Sequence, residues 1–252
     1  MKLIRYLFVL LLSGIFIQFA QAAELRIFAS VAIRSAFDEL VPQFEKATGQ
    51  VLVIEWGTGA AIKKMIDAGE AFDVAIAIPS VSDSLVKSGA LLPQPRPVVG
   101  VTTASLAYRE GTPRPEVSSP EALREVLLHA TGISLSDPSL GGASSNYFMA
   151  VIKELGISDS LESKLRFTKP GEGAVPVGAG TTQYGVALSS EIAGVAGVSG
   201  VPIFPSDQRS TTILVASIGT KTDRKDAARA FVEFLTSPQS LTVLKARGFP
   251  AR

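Results

Sequence analysis

The chain has 252 residues, with 24 Lys and Arg against 23 Asp and Glu, one His and no Cys. Near-neutral charge excludes a general nucleic-acid or anionic-membrane surface, which needs a basic excess. The lack of Cys excludes disulfides, thiolate nucleophiles and cysteine-held metals, so stability must come from packed cores, for which the length suffices.

Lys2 and Arg5 form a short basic start, Tyr6 to Phe19 is apolar, and Ala20-Gln21-Ala22 has the small-x-small pattern of a cleavage site. Together they predict a signal peptide over 1–22, cleaved after Ala22, and a periplasmic or secreted mature protein. The apolar stretch falls short of the ~20 residues that span a bilayer. No Cys follows the cleavage site to carry a lipid anchor. Loss of Lys2 and Arg5 leaves the mature chain with one more acid than base.

Leu25 to Phe28 predicts a strand. Val31 to Lys46 predicts a helix with Ala36, Phe37, Leu40 and Phe44 on one face, stopped at Gly49. A strand over Val51 to Glu55, a helix over Ala60 to Asp67, a buried strand over Val74 to Ala77 and a helix near Ser82 to Ser88 come next. Val98 to Tyr108 is a long β-rich run with no intervening helix. After the Pro-rich stretch 112–120, a helix runs to His129, whose position suits C-terminal capping. Ile133 to Ser136, Leu165 to Thr168 and Tyr184 to Leu188 are further strands, and a helix between the first two ends at Gly156. Pro202 to Phe204 and Thr211 to Ile218 predict a return crossing, and helices over Arg224 to Leu235 and Pro238 to Arg247 close the chain.

This alternation predicts an α/β fold with a parallel or mostly parallel sheet. Two lobes are expected, residues 23–102 with 206–252 and residues 103–205, joined by two hinge crossings with a cleft between them. Three strand-to-helix junctions carry small or hydroxyl residues: Ala29-Ser30-Val31-Ala32, Gly57-Thr58-Gly59-Ala60 and Gly142-Ala143-Ser144-Ser145. Ligands of open α/β sheets lie beyond the strands' carboxyl ends, and helix N-termini there accept anions without basic side chains. Each turn alone reads first as ordinary capping; three together, spread across both expected lobes, bring an anion site level with that reading. The lone His is poorly placed for general base work, and no nucleophile or metal motif appears, so binding without a cofactor is expected rather than catalysis.

The run Leu25-Arg26-Ile27-Phe28-Ala29-Ser30-Val31-Ala32, with Phe44-Glu45-Lys46-Ala47-Thr48-Gly49, resembles the start of mature periplasmic molybdate-binding proteins. Gly57-Thr58-Gly59-Ala60-Ala61-Ile62 and Phe72-Asp73-Val74 resemble that family's second binding turn and helix. Ser136-Asp137-Pro138, Lys153-Glu154-Leu155-Gly156, Ser237-Pro238-Gln239 and Gly248-Phe249 extend the likeness over almost the whole mature chain. The resemblance implies a type II periplasmic-binding-protein fold that delivers an oxyanion, molybdate or tungstate by default, to an ABC transporter permease. It implies a monomer without cofactor.

The family's ligand positions fall on Ala32 beside Ser30, on Gly59 beside Thr58, on Ser144, near Gly171, and on Leu188 where the family has Tyr. Tyr184 stands four residues before Leu188. Three family hydroxyls are therefore missing at their own positions, and each lost hydrogen bond to a charged group forfeits roughly 1.5–3 kcal/mol. Arg34, at the start of the first helix, and Trp56, beside the second turn, suit an organic anion instead. Glu172 reads as an exposed carboxylate. The alternatives to an oxyanion receptor are a receptor for an organic carboxylate or other anion, and an exported enzyme.

Overall fold

The structure, a computed structural model, describes residues 24–250; the predicted signal peptide and its cleavage site lie outside the described residues. β1 (Glu24–Ser30) ends at Ser30, whose Oγ accepts the Ala32 N–H at 3.3 Å and caps a 3-10 turn over Val31–Ile33. α1 (Arg34–Thr48) begins only after that turn, buries Ala36, Phe37, Leu40 and Phe44, and ends at the left-handed Gly49. The single helix expected from residue 31 is thus a tight turn followed by an α-helix, because the Ser30 side chain closes the first turn locally.

β2 (Val51–Gly57), α2 (Gly59–Asp67) and β3 (Val74–Ala77) follow as expected. α3 (Pro79–Lys87) starts three residues before the predicted Ser82, since Pro79 suits the first helical position. Beyond it come β4 (Val98–Arg109), α4 (Pro120–His129), β5 (Ile133–Ser136), α5 (Ala143–Glu154) and α6 (Ser158–Leu161). β6 (Leu165–Thr168), α7 (Val175–Gly178), β7 (Tyr184–Leu188), α8 (Ser189–Ile192) and β8 (Val198–Pro202) follow. β9 (Thr211–Ile218), α9 (Lys225–Leu235) and α10 (Pro238–Ala246) complete the order. The four-residue helices α6, α7 and α8 are too short to leave a 3.6-residue period in the sequence.

The strands form one sheet in the order β2-β1-β3-β9-β4-β7-β5-β6, with β8 added to β4. Pairing is parallel for β1 with β2 and β3 and for β5 with β6 and β7, but antiparallel wherever β4 or β9 takes part. The sheet is therefore mixed rather than mostly parallel. β4 is shared by both halves: Val98 to Thr103 pairs with β9, and from Ala104 onward β4 pairs with β7 and β8. The return crossing is β9 alone. Pro202 ends β8, an edge strand where a missing N–H is tolerated, and Phe204 turns away with a φ of 44°.

Each half carries its own core. In the first, the Phe231 ring of α9 meets Phe37 and Phe44 of α1 at 5.9 and 5.1 Å, edge to face. Such pairs add ~0.5–1.5 kcal/mol each beyond area burial. The second is built on Leu106, Leu127, Leu135, Phe148, Ile152 and Val186. Leu188 ends a strand of the second half yet packs in the first core, so the two cores approach each other at the end of β7. Among the described residues no helix is long and apolar enough to cross a membrane.

Candidate functional site

The carboxyl ends of β1, β2, β5 and β7 are Ser30, Gly57, Ser136 and Leu188, and the turns beyond them converge. They enclose a cleft of about 420 Å³. Ser30, Ala32, Thr58, Gly59, Ser144, Gly171 and Leu188, all singled out in the sequence, line it together. The turns from the two halves touch: a Cβ on Gly171, at a φ of 82°, would lie 3.3 Å from Val31 Cβ, and one on Gly141 3.8 Å from Thr58 Oγ1. Only glycine fits so near a neighbouring turn with that backbone.

The donors differ in how far they are committed. Ser30 Oγ accepts from Ala32 N–H and Thr58 Oγ1 accepts from Ala61 N–H, both at 3.3 Å, so each hydroxyl keeps its own proton to donate. At α5 the capping position is Gly142, which has no side chain to bond the first turn. The N–H groups of Ala143 to Ser145 have no intrahelical partner, and the partial positive charge of a 12-residue helix faces the cleft there. The backbone donor that the family resemblance implies near Gly171 is already used, and so is the backbone N–H of Leu188, where the family has a Tyr hydroxyl. Gly171 N–H donates to Ser136 Oγ at 3.2 Å, and Leu188 N–H donates to Glu191 Oε2 at 2.9 Å.

Arg34 and Tyr184 do not join this constellation. The Arg34 guanidinium lies 4.8 Å over the Trp56 ring, outside the cleft, and Trp56 in turn packs edge-on to Phe37 at 5.8 Å. Tyr184 opens β7 at the end away from Leu188, ~13 Å along the strand by ordinary strand rise. Arg34→Ala is accordingly expected to lower stability by about 0.5–1 kcal/mol, the worth of an exposed cation–π contact, while anion affinity stays within about twofold. Denaturant melts and calorimetry measure the two separately. His129 ends α4, its Nδ1–H donating to the Glu125 carbonyl at 2.8 Å.

Val31, Ile78, Val81, Thr212, Asn146 and Lys63 also line the cleft. So does Glu191, which sequence reasoning missed, whereas Glu172 is not in the lining. Burial pushes the Glu191 carboxyl up to about 7, against the Leu188 N–H, which lowers it. Its signal in the sequence is a glutamate three residues after a strand end, half of a capping box. Lys63, the other charged group in the lining, is ion-paired with Asp67. Ser30, Thr58 and Ser144 thus offer hydroxyls, two helix starts offer backbone N–H groups, and Val31, Ile78, Val81 and Leu188 offer apolar surface.

The profile of a family described as bacterial extracellular solute-binding protein matches residues 25–250. An aconitate isomerase from Pseudomonas sp. is 28% identical over 234 residues, covering 89% of this chain and 86% of that protein. The molybdate-binding protein ModA of Escherichia coli is 22% identical, covering 91% of this chain and 90% of that protein. Among solved structures, the periplasmic molybdate-binding protein of Azotobacter vinelandii superposes with a TM-score of 0.74 at 20% identity, over 90% of this chain and 99% of that one. The fold is that of the type II periplasmic binding proteins.

Proposed function

Because this chain belongs to the bacterial extracellular solute-binding proteins, we propose that it captures a small organic carboxylate outside the cytoplasm and passes it to an ABC-type transporter. Residues 24–102 with 206–250 act as one lobe and residues 103–205 as the other, closing on the anion about β4 and β9. Ser30, Thr58 and Ser144 donate hydroxyls, Gly59 and Ser144 donate backbone N–H groups, and Ala32, Gly171 and Leu188 shape the wall.

The observation that carries this reading is the make-up of the cleft. A tetrahedral dianion such as molybdate needs nearly every oxygen saturated by donors. Here Ala32, Gly59 and Leu188 bring no hydroxyl, and the Gly171 and Leu188 N–H groups are bonded within the protein. A carbon skeleton suits the apolar surface of Val31, Ile78, Val81 and Leu188, and about 420 Å³ is in the range of organic-ligand pockets. The relative named for aconitate chemistry, itself an organic acid, supports the same direction.

Calorimetric titration with molybdate, sulfate, acetate, succinate, citrate and cis-aconitate tests it. Binding of at least one polycarboxylate in the micromolar range, at least tenfold tighter than molybdate, is expected. Tighter binding of molybdate would overturn the ligand class and leave the receptor reading standing.

A second reading is an exported isomerase, favoured by Glu191. A carboxyl titrating near neutral pH suits removal and return of a proton, and the helix N-termini opposite suit the negative charge that develops. Proton NMR of cis-aconitate incubated with the protein decides it: appearance of the trans isomer at a rate that scales with protein concentration supports turnover, and an unchanged spectrum removes it.

A further inference from the structure

We propose that Glu191 selects the protonation state of the occupied cleft: an anion enters together with one proton, held on the Glu191 carboxyl, which then donates a hydrogen bond to that anion. The inference rests on the anion-receptor reading and names the residue that governs its acceptance of charge.

The geometry carries it. Glu191 Oε2 is fixed by the Leu188 N–H at 2.9 Å, which leaves Oε1 as the oxygen turned to the Gly171 turn, 3.9 Å from where a Cβ on Gly171 would stand. No hydrogen bond or ion pair to Oε1 occurs among the described residues. The carboxyl therefore faces the space into which the helix starts of α2 and α5 attract an anion. Two negative charges in one enclosed site cannot both persist, and the carboxyl is the one that takes a proton.

No counter-ion intervenes. α8 packs against the Val31–Ile33 turn, α1, β4, β7 and β8. On α1, Arg34 lies over Trp56 and Glu39 pairs with Arg247, while Asp38 carries no ion pair among the described residues. On β4, the Arg109 guanidinium donates to the Val177 carbonyl, and Tyr108 pairs in register with Tyr184, which opens β7. The 3-10 turn and β8 hold no titratable side chain. Lys169 and Glu172 flank the Gly171 turn, and Lys63 is paired with Asp67. None of these groups forms an ion pair with Glu191 among the described residues; burial raises its carboxyl to about 7 and the Leu188 N–H opposes it.

An anion that raises the carboxyl further binds best while the carboxyl is protonated, so affinity is high below about pH 7 and falls above it. Calorimetry with each of molybdate, sulfate, succinate, citrate and cis-aconitate, at pH 6 and pH 8 in Tris and Hepes, reads this directly. For the anions that bind, affinity is expected to be about tenfold weaker at pH 8, with uptake of close to one proton there. Glu191→Gln keeps an acceptor for Leu188 N–H and is expected to bind as tightly at pH 8 as the wild type does at pH 6, without proton uptake. Glu191→Asp is expected to retain the pH dependence.

Without any anion, wild-type thermal stability is expected to fall, relative to Glu191→Gln, as pH rises from about 4.5 to about 7, and to level beyond. A folded Glu191→Gln that keeps the wild-type pH profile of binding would overturn the proposal while leaving the receptor reading intact. Absence of binding by every anion at both pH values would overturn both.

Discussion

Gly173→Ala is expected to lower stability by about 4 kcal/mol or more, beyond the range of most single substitutions. A Cβ at that position would lie 2.1 Å from the Val186 carbonyl oxygen and 3.1 Å from its carbon. Overpacking ordinarily costs about 1–3 kcal/mol because side chains turn aside. Here the obstacle is the backbone of β7, which is bonded to β4 on one edge and β5 on the other and cannot turn aside. The clash is mutual, since a Cβ on Gly185 would lie 2.5 Å from the Gly173 carbonyl oxygen. Two glycines thus let residues 171–174 cross directly on β7, and Ser134 Oγ ties the crossing by donating to the Gly173 carbonyl at 2.7 Å. The Gly171 turn rests on this crossing, so anion affinity falls along with the denaturation midpoint. A urea midpoint close to that of the wild type would show that β7 yields after all.

The second large effect is on binding. Ser30→Ala with Thr58→Ala removes two hydroxyls from the cleft, and hydrogen bonds to a charged group contribute about 1.5–3 kcal/mol each. Affinity is expected to fall by roughly 100- to 20,000-fold, as seen by calorimetry. The same change also uncaps the turn after β1 and the start of α2, which costs about 0.5–2 kcal/mol of stability per cap. Glycine at a capping position costs only a few tenths of a kcal/mol. Ser30→Gly with Thr58→Gly therefore separates the two roles: it keeps the fold and loses the affinity. Retained affinity in the folded glycine variant would mean that backbone N–H groups alone hold the anion.

Much of the candidate site was legible in the sequence for a physical reason. A ligand at the carboxyl end of a sheet needs small residues and helix starts next to strand ends, and Ser30, Thr58, Gly59 and Ser144 carry that pattern locally. Arg34 and Tyr184 lie outside the cleft lining because their directions depend on neighbours distant in sequence. The Trp56 face holds the Arg34 cation, and the direction of β7 carries Tyr184 to the far end. Glu191 was hidden because its helix is four residues long and because its importance arises only when the Gly171 turn folds against it. The mixed pairing of the sheet was hidden as well. Strand directions in the centre come from β4 and β9 running past one another, and no local pattern in Val98 to Arg109 or Thr211 to Ile218 records that.

The sharing of β4 between both halves also limits how this chain can vary by descent. Side chains along a strand alternate between faces, so adding or removing one residue turns over everything beyond it. In β4 that would keep the partnership with β9 and invert the one with β7 and β8, or the reverse, so that one of the two cores loses its inward-facing residues. The irregularity between Val98 and Gly100 lies within the first residues of the β9 pairing, ahead of the partnership with β7 and β8. Changes in length are thus expected to be tolerated in connections such as residues 110–119, whereas the count of residues from Val101 to Arg109 is held by two halves that must agree on it.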